Sequence, residues 1–193
     1  KLDWKNIGLL HSLAASADLF IERKEKTKDI EVIENKVFTA EHVEILNKDA
    51  LEFSVKVKRN LEYLTWRFTE KPTTTYRIFE CRKISGELDG LMVTKIYSGT
   101  SGKTDLNIVE LALEDYANII PFISKVIALH IKSLSRITMW KNLFDENHIL
   151  FERVGFKPDL PLTYLGVRPS EMIPDEVRHL KNWYIAYGDS DVY

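Results

Sequence analysis

Only one of the 193 residues is a cysteine, Cys81, so no internal disulfide can form and nothing points to an oxidising compartment. Long apolar runs are missing too. The longest, Ile119 to Ile131, is broken by Pro121, Ser124, Lys125 and His130. It falls short of the roughly 20 residues a membrane-spanning helix needs. Charge of one sign is also lacking: 27 Lys and Arg stand against 29 Asp and Glu, a formal net charge of -2. The densest basic stretch, Arg23 to Lys28, alternates with Glu22 and Glu25, so no track of phosphates could be neutralised along it. Neither nucleic acid nor a membrane is expected as a partner. No signal peptide is read at the start, which makes cytoplasm the expected address. The chain begins with Lys1 rather than Met and so reads as a piece of a longer protein. His11, His42, His130, His148 and His179 show no metal-ligand spacing, and no metal is expected.

What is present is an ordinary soluble composition, 45% apolar and 29% charged, enough for one domain and an appendage. Asp29–Phe38 reads as a strand, and Thr39 as the cap of a helix carrying Val43, Leu46, Ala50 and Phe53 at helical spacing. A second short helix follows from Asn60, with Leu61, Leu64 and Phe68 on one face, and stops before Pro72. Three strands come next, Thr75–Ile84, Leu91–Tyr97 and Leu106–Leu113, joined by turns rich in Ser and Gly. Leu106–Leu113 is apolar on both faces apart from Asn107 and Glu110, as a central strand would be. Asn118 is expected to cap an apolar helix through Lys132, followed by a strand at Arg136–Trp140. Phe144–Val154 reads as a helix ended by Gly155, and Phe156–Pro158 and Leu162–Val167 as two closing strands.

A helix joining Leu106–Leu113 to Arg136–Trp140 has to be a crossover between parallel strands. The predicted fold is therefore α/β: a mixed, mostly antiparallel sheet with one central parallel pair and helices on both faces.

Three local motifs carry a family resemblance. Leu150–Phe156 (LFERVGF) resembles the helix end and Gly-Phe of the GNAT superfamily of N-acyltransferases, a weak signal alone. More specific are Leu64-Thr65-Trp66-Arg67-Phe68 with Pro72 and Tyr76, and the terminal Gly188–Tyr193 (GDSDVY). Both are similar to a bacterial subgroup often encoded near polysaccharide-biosynthesis functions, many of whose members carry two GNAT folds in tandem. Lys1–Lys5 with Leu9-Leu10 also resembles Arg153–Lys157 with Leu162. Residues 1–28 are accordingly read as the remnant of a preceding GNAT half plus a linker, and 29–193 as the GNAT-type domain. An irregular extension packed on that domain is the plainer alternative.

The resemblance implies a V-shaped opening between the two parallel strands that holds acyl-CoA, acetyl-CoA above all. Leu111, Ala112 and Leu113 would pair with its pantetheine, and the backbone N–H groups of Asn118, Ile119 and Ile120 would meet its pyrophosphate. Glu110 would be the base, or simply a hydrogen-bonded strand residue; Tyr116 would supply a proton, or be an exposed loop tyrosine. Trp66, Arg67 and Tyr76 would shape the acceptor pocket. Arg67 would alternatively pair with Asp189 or Asp191 and pin the C-terminal tail. His130, inside an apolar helix, reads as a core histidine.

Other residues oppose cofactor binding. From Asp105 to Ser124 there is no Lys or Arg, and Glu114 and Asp115 would face a pyrophosphate. Phe151, four residues before Gly155, carries no proton to give. The expected function is thus acyl-CoA-dependent N-acyl transfer to a small amine or amino sugar, with this half degenerate or relaxed in cofactor binding. The rival is a non-catalytic scaffold, acceptor-binding or dimerisation lobe, forming a homodimer or packing on a missing N-terminal GNAT half. An aminoacyl transferase of the FemABX type would need a basic patch the chain lacks.

Overall fold

The computed structural model describes residues 5–21, 29–98, 104–130, 134–167 and 174–190. Seven strands form one sheet in the order β2-β3-β4-β5-β6-β1-β7. They are β1 (Lys5–Ser16), β2 (Ile30–Asn35), β3 (Tyr76–Lys83), β4 (Leu88–Ser98), β5 (Thr104–Leu113), β6 (Leu134–Lys141) and β7 (Lys157–Val167). Helices are α1 (Asp18–Ile21), α2 (Ala40–Asp49), α3 (Leu61–Leu64), α4 (Ile119–Leu129) and α5 (His148–Val154). The predicted meander β3-β4-β5 is antiparallel, and β5 and β6 are parallel, joined through α4. The expected fold class is the one observed.

Residues 5–16 differ from expectation. β1 is no appendage: it lies between β6 and β7 and pairs antiparallel with both. This strand supplies the hydrogen bonds that β6 would otherwise lack on that side. Lys1–Trp4 lie outside the described residues. The two closing strands are one, β7, whose Pro158 and Pro161 are tolerated because β7 is an edge.

Two cores lie on opposite faces of the sheet. One gathers Phe20, Phe122, Ile123, Phe151 and Phe156 from α1, α4 and the α5 region over Leu106, Ile108 and Leu111. The other packs Phe38, Leu46, Leu64 and Phe68 over Leu91, Val93, Val109 and Ala112. Cys81 is buried at the first, and burial pushes its thiol up to about 12, so it is unreactive in the folded chain.

Three local expectations shift for identifiable reasons. Only Leu61–Leu64 is α-helical; Thr65–Thr69 continues as one wide turn closed by Glu70 N–H to Thr65 O at 3.0 Å. That turn buries Arg67 and Phe68 side by side. The helix expected from Phe144 begins at His148, because Asn142 Oδ1 accepts from Phe144 N and Asp145 Oδ1 from Asn147 N, which holds the chain in turns. It ends at Gly155 with φ 114°, a left-handed cap as expected. Asn118 precedes α4 but does not cap it; its amide donates to Asp89.

Candidate functional site

β5 and β6 pair only from Thr104–Leu134 to Asn107–Thr138. Beyond that β5 stays with β4 as far as Gly90–Leu113, and β6 stays with β1 as far as His11–Lys141. Each strand follows its outer neighbour, so the two part. The cause is a bulge: Val93 pairs with Glu110 and Thr94 with Ile108, leaving Val109 as an extra residue on β5. The bulge also breaks the two-residue alternation. Ile108 and Leu111 belong to one core, Val109 and Ala112 to the other, and Glu110 sits at the change of parity.

What remains of the wedge is a void of about 20 Å³, bordered by Glu110, Lys141, Asn142, Asp145 and Tyr184 among others. That is room for a single water. The C-terminal segment fills the rest. Tyr184 N donates to Val55 O at 2.9 Å, and Val55 N to Asn182 O at 2.8 Å. Asn142 Nδ2 donates to the carbonyls of Leu180 and Trp183 at 2.8 and 2.7 Å. Tyr187 lies on Trp140 with ring centroids 4.8 Å apart.

Glu110 is fully buried, and its partner is Arg59, whose Nη2 donates to Glu110 Oε1 at 2.8 Å and to Asp189 Oδ2 at 2.7 Å. Burial pushes the Glu110 carboxyl up to about 7, against the pull of Arg59. Its other oxygen, Oε2, has no hydrogen-bond partner in the structure. Arg59 also donates to Val57 O at 2.9 Å and lies 4.9 Å from the centre of the Tyr184 ring. Neither Arg59 nor Tyr184 stood out in the sequence. One lies in an irregular stretch before α3 and the other in an irregular tail, and only tertiary contact gives them meaning.

A second polar cluster borders the opening. The Tyr116 hydroxyl donates to Asp49 Oδ1 at 2.6 Å, and its ring packs edge-on to Phe151 at 6.0 Å. Tyr116 is therefore half-buried and engaged, not an exposed loop residue. Burial, and then the charge of Asp49, raise its hydroxyl pKa well above the ordinary value, so it holds its proton tightly. Lys141, at the end of β6, pairs with Asp145 at 2.6 Å and lies over the rings of Tyr116 and Phe151. Burial disfavours its charge, but Asp145 and Asp49 outweigh that and raise its pKa.

The place expected for a pyrophosphate does not suit one. Leu113, Glu114 and Tyr116 border an open cavity of about 460 Å³ together with Asp49, Glu52, Glu146 and Lys48. Lys48 is ion-paired with Glu114. Asp115 accepts a hydrogen bond from Ala117 N at 2.9 Å, taking one of the donors an anion would use. Ile119 is buried, Ile120 packs against the core, and Pro121 has no N–H. Each nearby carboxylate would oppose a pyrophosphate by about 1 kcal/mol. Leu111, Ala112 and Leu113 do face the separation along β5, but the residues around Asn118 do not fit the cofactor.

Trp66, Arg67 and Tyr76 are not brought together as one pocket. Trp66 is 61% exposed and stands over an outward cavity with Tyr63, while Arg67 is buried. Tyr76 packs edge-on to Phe68 at 5.1 Å in the second core. Arg67 does pin the tail: its Nε donates to Gly188 O at 2.7 Å and its Nη2 to Ser190 O. The carboxylate of Asp189 goes to Arg59 instead; Asp191 lies outside the described residues. His130 is the expected core histidine, with Nδ1 2.9 Å from Arg77 Nη1, and burial lowers it to about 4. Among the described residues no three His, Cys, Asp or Glu side chains gather as a metal site.

No family model matches the sequence, and no curated protein matches it either. Solved structures do match. A GCN5-related N-acetyltransferase from Anabaena variabilis superposes with TM-score 0.58 at 13% identity over 84% of this chain and 39% of its own. Another from Kribbella flavida gives 0.54 at 14% identity, covering 86% of this chain and 38% of its own. Saccharomyces cerevisiae N-myristoyltransferase, solved with myristoyl-CoA, gives 0.52 at 9% identity over 83% of this chain and 50% of its own. The chain thus spans half or less of the length of these proteins. With the parallel pair parting at a bulge and helices on both faces, its fold is that of the GCN5-related N-acetyltransferases.

Proposed function

We propose that this domain is the structural, acceptor-side lobe of an acyl-CoA-dependent N-acyltransferase and does not hold the acyl-CoA in its own wedge. The observation that carries this reading is the start of α4, where Asp115 already occupies Ala117 N, Glu114 precedes it paired with Lys48, and the chain from Asp105 to Ser124 holds no Lys or Arg. An anion there would displace one carboxylate and face another. The wedge itself is filled by the protein's own tail, which supports the same reading. In this reading an amine, that of an amino sugar, would be acylated in another lobe against which this one packs.

A second reading is favoured by one observation. Glu110 has an oxygen without a hydrogen-bond partner, beside the void, in a carboxyl raised to about 7. Such a group can take a proton near neutral pH, so the lobe would then contribute a base of its own.

Thermal unfolding of the chain with acetyl-CoA tests the first reading. No change at millimolar acetyl-CoA is expected. Stabilisation approaching about 2.7 kcal/mol at 100-fold excess over a dissociation constant would instead mark a working site and sink the structural-lobe reading.

A further inference from the structure

Glu62, Trp66 and Glu70 are spaced four apart along α3 and the wide turn that continues it. Four residues exceed one α turn slightly and fall short of one wide turn, so the three line one edge of the segment. One carboxylate therefore lies a turn before the indole and the other a turn after it. Tyr63 stands beside them, its ring centroid 6.1 Å from that of Trp66. With Lys58 and Asn60 these side chains border an open cavity of about 740 Å³. That size falls within the range of about 300–1,000 Å³ in which small molecules are held.

The platform is held from behind and left bare in front. Glu70 N–H closes the turn on Thr65 O at 3.0 Å, and Arg67 is fastened to the Gly188 and Ser190 carbonyls. Phe68 is buried against Phe38 and Tyr76. The Tyr63 hydroxyl donates to Asp189 Oδ1 at 3.4 Å, with the Arg59 guanidinium 6.0 Å from the centre of its ring. Between these fixed neighbours Trp66 is 61% exposed. Among the described residues no hydrogen bond or ion pair engages its indole N–H, the carboxylates of Glu62 and Glu70, or the Lys58 ammonium. Asn60 spends its Oδ1 on Tyr63 N at the start of α3 and keeps its amide nitrogen. An indole held in water adds little to this fold, unlike Phe68 two positions on.

We propose that this cavity is where the lobe holds its acceptor, an amino sugar. The C–H face of the sugar ring lies on the Trp66 indole, its ammonium between Glu62 and Glu70, and its hydroxyls on Asn60 and Lys58. This deepens the acceptor-side reading above and rests on it. Two carboxylates against one ammonium leave the edge net negative, which draws a cationic sugar and repels an anionic one. A cation close to an indole face adds an attraction of its own. A protein partner suits the cavity less, because covering it would strip water from three unpaired charges at once. A small polyol leaves those charges partly wet and hydrogen-bonds to them.

Titrating the chain with glucosamine, and separately with glucose and with ethanolamine, tests it by two-dimensional NMR. The reporters are the Trp66 indole N–H, identified by its absence from Trp66→Ala, and the amides of Tyr63 and Thr65. Glucosamine should shift all three saturably. Glucose and ethanolamine should each bind about fivefold more weakly or worse, since each lacks one half of the contact. Glu62→Gln combined with Glu70→Gln should weaken glucosamine about fivefold and leave glucose as it was. Trp66→Ala, which removes an exposed side chain, should weaken glucosamine about fivefold at the Tyr63 and Thr65 amides. No saturable shift, an equal response to all three compounds, or binding that Trp66→Ala leaves unchanged overturns the proposal. So does self-association of the chain that Trp66→Ala abolishes, which would give this face to a second copy. The acetyl-CoA unfolding experiment judges the parent reading separately. Stabilisation by acetyl-CoA with glucosamine binding retained removes the structural-lobe reading and keeps the sugar site; the reverse pair of results removes the site alone.

Discussion

Arg59 and Asp189 are 130 positions apart in sequence and 2.7 Å apart in the structure. The same guanidinium nitrogen reaches Glu110 on the central strand. One side chain thus ties the loop before α3, the bulged strand and the C-terminal segment to each other.

Removing that side chain strands two carboxylates, one of them fully buried. Arg59→Ala is expected to lose about 3–5 kcal/mol, because a buried charge left without its partner costs more than the pair ever gained. Urea unfolding at neutral pH measures it through the midpoint. A loss below about 1 kcal/mol would mean that water already screens the pair.

Two buried groups make opposite contributions to stability as pH changes. Glu110 is raised from 4.5 to about 7, so the folded state takes up its proton first and stability falls as pH climbs through that window. His130 is lowered from 6.5 to about 4, so its contribution is complete above 6.5 and is lost as pH drops towards 4. Between 4.5 and 6.5 these two slopes cancel in the wild type. Glu110→Gln should expose the histidine slope, with stability falling on acidification relative to wild type. His130→Gln should expose the opposite slope. Unfolding free energies at pH 4.5, 5.5 and 6.5 give the comparison, and parallel curves for both variants would refute the assignment.

Neighbours on the turn at Thr65–Thr69 should behave very differently. Trp66 is largely exposed, so Trp66→Ala should stay within about 0.5 kcal/mol of wild type. Phe68, packed on Phe38 and Tyr76, should cost about 3–5 kcal/mol as alanine. Thermal or urea denaturation reads both. A costly Trp66→Ala would place the indole against something the outward cavity does not show.

Gly86 and Gly155 both have positive φ, at 88° and 114°, but differ in their surroundings. A Cβ on Gly86 meets nothing within 4 Å, whereas one on Gly155 lies 2.9 Å from Leu19 Cδ1. Gly86→Ala should cost the backbone strain alone, about 1–2 kcal/mol. Gly155→Ala should cost that and a further displacement of Leu19. Equal losses in the two would show that Leu19 moves aside freely.

Much of the fold was legible because its signals are local. Leu106–Leu113 announced a central strand by being apolar on both faces, and β5 is buried along nearly its whole length. Gly155 marked the end of α5, and the short Ser- and Gly-bearing turns marked the meander. The place of the N-terminal strand was not legible, because its partners are β6 and β7, more than 100 residues further on, and no local pattern names a partner. The candidate site was half legible. Glu110 stood out as a carboxylate on an apolar strand, but Arg59 sits in a stretch without periodicity. The bulge at Val109, which turns Glu110 towards Arg59, arises from how β4 and β5 register and not from any residue peculiar to it.

The sequence by itself determined the mixed sheet, the parallel pair joined by α4, and the hostility of Glu114 and Asp115 to an anion, since these follow from residue type and short-range spacing. Tertiary structure alone decided where β1 lies, which cation answers Glu110, and that residues 183–190 fill the wedge. Those depend on side chains and strands that meet across the chain, where packing and the desolvation of buried charge choose the partner.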